Sequence, residues 1–186
     1  GVYGGTQMVC EITGNTAYFG GGSYGSALIE NSALSGNSAM YGGGAYKSAL
    51  RTCNVISNAV LATSGSTTVQ GGGAYQCVLD RCTIAYNSAN SVSPSTGQGW
   101  GGGVTDSTLY NCLVSNNWAR HQGGGGAGST FWNCDIVGNS VTNSSSAFGG
   151  GVNAGTQYNC RIIGNFSRYR GGAASGATLI NCTVVG

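Results

Sequence analysis

At 186 residues, 40% of them hydrophobic, the chain is long enough for one domain with a sizeable core. Only 6% of it is charged, against about 25% in ordinary soluble domains, and 36 residues are glycine, so solubility must come from Ser, Thr, Asn and Gly. A net charge of +2 with its basic residues scattered along the chain excludes the electrostatic footprint of a nucleic-acid binder, and moderate hydrophobicity with low net charge is not the signature of a disordered chain.

No apolar run approaches the roughly 18 to 20 residues of a membrane-spanning helix, and no signal peptide or initiating Met stands at the start. The expectation is a single domain over residues 1–186, a segment of a longer chain, whose ends at Gly1 and Gly186 fall in mid-coil without the caps a solenoid needs.

Internal periodicity decides the fold. The first coil carries Cys10, Ile12 and Asn15; the second opens at the triple glycine of Gly20, has one extra residue, and carries Leu34 and Asn37 with Asn31 or Ser32 where a thiol would be. The third opens at Gly42 and places Cys53, Val55 and Asn58 at 11, 13 and 16 residues beyond it. The same offsets give Cys82, Ile84 and Asn87 from Gly71; Cys112, Val114 and Asn117 from Gly101; Cys134, Ile136 and Asn139 from Gly123; Cys160, Ile162 and Asn165 from Gly149; and Cys182 from the weaker pair at Gly171.

Coils of 22 to 30 residues are too short for a unit with a helix and two strands, but suit three short strands joined by tight turns. Alternation around Cys-x-Ile turns the thiol and the β-branched residue inward and the residue between them outward. The predicted fold is all-β: a right-handed single-stranded parallel β-helix of about eight coils, with like positions stacked about 4.8 Å apart. The glycines suit a recurring turn with no room for Cβ. The asparagines form a ladder whose side chains tolerate the left-handed conformation and bond to the Asn above and below. The thiol column is read as buried and reduced, with Cys77, off the column, as the exposed exception.

With Gly-Gly-Gly followed by Ala45, Ala74, Val104 or Val152, and an aliphatic-x-x-Asn further on, the chain resembles the polymorphic outer membrane protein repeats of chlamydial autotransporters. Those repeats carry Phe where this chain has Ile12, Leu34, Val55, Ile84, Val114, Ile136 and Ile162. It also resembles Gly-rich solenoid repeats in surface proteins of environmental bacteria. Both resemblances imply a right-handed β-helix exposed outside a bacterial cell, and the first implies adhesion.

Catalysis finds little support. The five acids, Glu11, Glu30, Asp80, Asp106 and Asp135, share no offset in adjacent coils, so no carboxylate dyad is expected; Asp80 stacks on Arg51 and Asp135 on Arg161 as ion pairs. His121 is read as a solvated loop residue, and a linear stack of thiols is the wrong shape for zinc. No cofactor or metal is expected.

Outward columns are the binding candidates. Tyr3, Tyr24, Tyr46 and Tyr75 share one offset. Tyr110, Trp132 and Tyr158 share another, beside Thr108, Thr130, Thr156 and Thr178, and could lie against sugar rings. Insertions at Leu61 to Gln70, Ser91 to Trp100 and Thr142 to Phe148 put the loops on one edge.

The functional expectation is a non-catalytic extracellular or cell-surface β-solenoid, structural or adhesive. Its alternatives are a carbohydrate-binding or polysaccharide-active β-helix and an ice-binding protein. Expected partners are a host or neighbouring surface protein or a neutral glycan, with end-to-end or lateral self-association also open to such a rod.

Overall fold

A computed structural model describes residues 1–62, 68–91, 98–142 and 146–186. The described residues form 32 short strands and no helix. The strands build three eight-stranded sheets, one six-stranded sheet and a two-stranded pair, and every pairing is parallel to the same face of the next coil. The fold is a right-handed parallel β-helix, the hand adopted by nearly all connections that return a chain beside its parallel predecessor.

The coil opening at Gly71 shows how it is built. Its strands are Ala74–Tyr75, Val78–Asp80, Thr83–Ala85 and Ser88–Asn90. The cross-section therefore has four faces, not the three expected from coil length. The reason is a five-residue step that differing residue types conceal. Ala74, Leu79, Ile84 and Ala89 lie five apart and are all fully buried, one at the centre of each face. Two residues ahead of each stand Gly72, Cys77, Cys82 and Asn87, also buried. One residue further ahead is a corner with positive φ: Gly71 at 69°, Gln76 at 53°, Arg81 at 52° and Tyr86 at 56°.

Each face is thus a corner in the left-handed region, an inward residue that bonds to neighbouring coils, a link, a core residue and another link. A non-glycine residue in the left-handed region costs about 1 to 2 kcal/mol, so the corners must be held by what surrounds them. The ladder asparagines are not themselves left-handed, contrary to expectation. That conformation falls one residue earlier, at Ser57, Tyr86 and Asn116.

Core residues stack in register, with Leu79 on Leu109 and Leu109 on Phe131, and Ile84 on Val114 and Val114 on Ile136. One apolar cluster fills the first three faces, and a smaller one of Val60, Ala62, Val69, Ala89, Ala119, Val141 and Ala147 fills the fourth. The triple glycine closes the coil by close approach as well as by φ. A Cβ on Gly73 would sit 2.7 Å from the Gly103 oxygen and 3.0 Å from Asn87 Nδ2.

Besides Ser23 and Ser167, two core positions break the apolar rule, each together with a ladder position. Where the inward residue is Gly5 or Gly155, the core residue two places on is Gln7 or Gln157. Gln7 Nε2 donates to the Gly4 carbonyl at 2.9 Å and Gln157 Nε2 to the Ser129 carbonyl at 3.4 Å. In five coils a Ser or Cys takes that inward position, as Ser48, Cys77, Ser107 and Ser129 do, and donates to backbone, and in the last coil Ala177 takes it.

Candidate functional site: interior ladders and an outward aromatic and amide face

The inward polar positions form hydrogen-bonded columns. Asn87 Nδ2 donates to Asn117 Oδ1 at 3.0 Å and Asn117 Nδ2 to Asn139 Oδ1 at 2.9 Å. The same run extends from Asn15 through Asn37 and Asn58 at one end to Asn165 at the other. From Asn37 onward each Oδ1 also accepts the backbone N–H of the asparagine one coil earlier, and each Nδ2 also donates to the backbone carbonyl of the core residue in that earlier coil. The amides are thereby satisfied inside the core, where an unpaired one would cost about 1 to 3 kcal/mol.

The cysteines are held similarly. The N–H of Cys53, Cys82 and Cys112 donates to the sulfur of the next coil's cysteine at 3.4 Å, and each thiol donates to the carbonyl two residues before it. Ser32, not Asn31, stands in the column in the second coil, and its hydroxyl accepts the Cys10 N–H at 3.0 Å. All eight cysteines are free thiols.

Cys77 is buried, not exposed, because it occupies a serine column. The Ser48 N–H donates to its sulfur, and its own N–H donates to Ser107 Oγ. Burial pushes its thiol up to about 12. In the main column, hydrogen bonds between neighbouring thiols and burial raise Cys53, Cys112 and Cys160, while the same bonds favour a thiolate at Cys82 and Cys134. Each of these S–H groups already donates to a carbonyl, and the cluster around them is apolar, so burial decides and the column is held as neutral thiols. A thiol reagent is therefore expected to reach at most the two half-buried groups, Cys10 and Cys182, in the folded protein, and all eight after denaturation. Modification of Cys77 in the folded state, read by peptide mapping, would contradict this.

On the second sheet, Thr108, Thr130, Thr156 and Thr178 pair in register, as do Tyr110, Trp132, Tyr158 and Ile180. Trp132 and Tyr158 stack with centroids 3.7 Å apart and an 8° interplanar angle. Their faces are spent on each other, leaving one face of each ring for any other contact. Sequence reasoning missed the corner that follows. Asn111, Asn133, Asn159 and Asn181 all have φ of 53 to 54° and form an outward amide chain. Asn181 Nδ2 donates to Asn159 Oδ1 at 2.8 Å, Asn159 to Asn133 at 3.2 Å, Asn133 to Asn111 at 3.5 Å, and Asn111 to Asp80 Oδ1 at 3.3 Å. A shallow groove follows this corner, lined by Asn111, Leu113, Asn133, Asp135, Asn159 and Arg161. The sequence signal for this chain is Asn-Cys at four successive coils, an outward amide beside an inward thiol.

A larger aromatic patch lies near the first coils. Tyr24, Tyr46 and Tyr75 stack at 5.2 and 5.3 Å, and Tyr3 joins them tilted at 60°. Phe19 and Tyr41, each just ahead of a Gly block, lie across the corner against this column, Phe19 stacked on Tyr46 at 5.1 Å and Tyr41 tilted at 32° to Tyr75 at 5.9 Å. The sequence offsets separate these two columns; the tight glycine turn between them brings them together.

The remaining candidates are corrected or placed. Arg51 pairs with Glu30 at 3.4 Å rather than with Asp80, which pairs with its neighbour Arg81 at 3.0 Å; Arg161 pairs with Asp135 at 3.3 Å. These partly exposed pairs are worth a few tenths of a kcal/mol each. His121 is not a solvated loop residue: it is 8% exposed, and its Nδ1 accepts the Gly99 N–H at 3.2 Å. Burial, then the nearby Arg120 charge, lower its pKa, so it is neutral at pH 7. Among the described residues no three His, Cys, Asp or Glu side chains are placed so that they could hold one metal ion. Of the three insertions, residues 63–67, 92–97 and 143–145 lie outside the described residues, while Thr68–Gln70 and Gln98–Trp100 pair as parallel strands.

The chain matches no protein-family model and no curated protein. Among solved structures it is similar to QnrB1 (full length), a plasmid-mediated fluoroquinolone resistance protein, at 12% identity over 94% of this chain and 93% of that one, with a TM-score of 0.21. That likeness is too slight to bear on function.

Proposed function

We propose that the chain is a non-catalytic β-solenoid of an extracellular or cell-surface bacterial protein, with a structural or adhesive role. The observation that carries this reading is where the polar chemistry goes. Most of the polar side chains that recur coil after coil, the Cys and Ser columns and the Asn15 to Asn165 ladder, turn inward and bond the coils to one another. Three of the five acids, Glu30, Asp80 and Asp135, are each committed to an arginine. A glycosidase or lyase needs carboxylates free to converge on a substrate.

The outward amide chain beside the Trp132–Tyr158 stack supports a second reading, in which the adhesive ligand is a neutral glycan lying along the rod. Amides at successive coils offer repeated donors and acceptors, and the free ring faces offer apolar contact. A shallow groove excludes little water, so affinity should stay in the millimolar to high micromolar range, about 4 to 6 kcal/mol. Ice binding is disfavoured, because the Thr column is one residue wide and flanked by rings.

Affinity gels with a panel of neutral polysaccharides, run on the parent and on Trp132→Ala, test these readings. Retardation that falls several-fold in the variant supports the glycan face, and undiminished retardation would move the site elsewhere. Release of reducing ends or unsaturated products, abolished by Asp80→Asn or Asp135→Asn, would overturn the non-catalytic reading.

A further inference from the structure

One corner of the coil, the second, keeps a side chain in every coil at a backbone conformation that favours glycine. Its residues run from Val9 through Thr52 and Arg81 to Asn181, all with φ of 48 to 54°. The other corners relax to glycine in several coils: the first at Gly25 and Gly128, the third at Gly36 and Gly138, and the fourth at each glycine block, again with positive φ. A Cβ retained throughout a left-handed corner, where glycine would be less strained, points to a use for the side chains. From the fifth coil to the eighth that side chain is an asparagine amide, at Asn111, Asn133, Asn159 and Asn181. The bonds among these amides are exposed and lengthen to 3.5 Å, so they contribute little to stability.

The same amides keep bonding capacity to spare. Asn133 and Asn159 each donate one hydrogen and accept one along the row, which leaves one N–H and one lone pair on each. Tyr110, Trp132 and Tyr158 immediately precede three of these asparagines and place rings beside them. A shallow groove follows the corner in two stretches, one along Val9, Asn31 and Thr52 and one along Asn111, Asn133 and Asn159, with the Arg81–Asp80 ion pair between them. The strip from Asn111 to Asn181 is thus a straight row of donors and acceptors that repeats at the strand spacing of about 4.8 Å.

We propose that this corner is the track for an extended, diequatorially linked polysaccharide of neutral hexoses, the linkage of cellulose and glucomannan, laid along the rod at one sugar per coil. The proposal rests on the glycan reading above and names its substrate. A chain joined equatorially at both ends of each ring is a straight ribbon, and it advances per sugar by little more than the strand spacing of about 4.8 Å. It therefore stays close to register with four successive amides. Each sugar in that ribbon is turned over relative to the last, so the hydroxyls facing the protein alternate, and an amide that both donates and accepts bonds to either set. Chains with an axial linkage, such as starch, coil and leave the row after a sugar or two. The charges flanking the row do not select an ionic sugar, because Asp135 and Arg161 pair with each other at 3.3 Å.

The test compares affinity gels containing hydroxyethylcellulose or glucomannan with gels containing glycogen or pullulan, and titrates cello-oligosaccharides while the asparagine side-chain amide signals are followed by NMR. Retardation is expected with the first two polymers only, and affinity should rise several-fold from cellobiose to cellotetraose and then level, because four coils carry the amides. The double variant Asn133→Gly/Asn159→Gly removes two amides at a φ that glycine adopts freely, so it should keep the β-sheet circular dichroism of the parent. It should lose retardation, whereas Asn116→Gly, at the third corner, should behave as the parent does. Equal retardation by glycogen or pullulan, or undiminished retardation of the double variant, would overturn this track but not the glycan reading. Absence of retardation by every polymer would overturn both.

Discussion

Replacing Asn117 by leucine is expected to lower stability by about 2 to 4 kcal/mol, although the two side chains are close in volume. Asn117 Oδ1 accepts the backbone N–H of Asn87 at 2.9 Å and Asn87 Nδ2 at 3.0 Å, and Asn117 Nδ2 donates to the Ile84 carbonyl at 2.9 Å. Leucine leaves the Asn87 N–H without a partner in a region closed to water, at about 1 to 3 kcal/mol, and removes one bond each from Asn87 Nδ2, which keeps the Val55 carbonyl, and from the Ile84 carbonyl, at about 1 kcal/mol each, partly offset by added apolar contact. Asn139 keeps one donor, the Asn117 backbone N–H, so the damage is directed toward the preceding coils. Because a solenoid's stability is a sum of coil and interface terms, hydrogen exchange should quicken most around Asn87 and Asn117 and least around Asn15. A urea midpoint unchanged within error would show that the amide column does not hold the coils together.

The parallel β-helix is legible in the sequence because its repeat keeps one residue type at one offset, and the offset predicts the register in which Ile84 lies on Val114 and Val114 on Ile136. The four-sided section is not legible in the same way. Its first and fourth faces are centred on small residues such as Ala74, Ala89 and Ala119, which read as linkers until the five-residue step from Leu79 and Ile84 is extended in both directions. The burial of His121 is hidden in the sequence for a related reason. It sits two residues ahead of a Gly block, a position that holds buried Val69 and Ala147 in other coils, yet insertions of different length hide that equivalence. For the outward face, the shared offset of Trp132 and Tyr158 is visible in sequence, but not that their rings face each other. That depends on side-chain torsions, which no spacing encodes.

Adding a single methyl group at Gly72 is expected to be more damaging than deleting the Asn117 amide. The backbone of Gly72 is not left-handed, so conformational preference gives no objection to alanine there. The objection is steric: its Cβ would fall on the carbonyl oxygens of Gly102 and Ser88, two backbone atoms that no rotamer change can move. Relief requires the Gly71 coil to part from the next one, which breaks bonds such as Gly72 N–H to the Gly101 carbonyl at 2.9 Å and carries Gly73 with it. Overpacking typically costs about 1 to 3 kcal/mol, and here, where two backbone oxygens must move, the expected cost is in the exceptional range above about 4 kcal/mol. Gly72→Ala should therefore lower the melting temperature sharply or fail to accumulate as soluble protein. The control is Gly164→Asn, at a corner where φ is 57° and a Cβ would meet nothing within 4 Å. Asn116 already occupies the equivalent corner with φ of 54°, and Asn tolerates this region, so that variant should lie within about 0.5 kcal/mol of the parent. If Gly72→Ala unfolded no more easily than Gly164→Asn, the triple glycine would owe its presence to turn conformation alone and not to the close approach of successive coils.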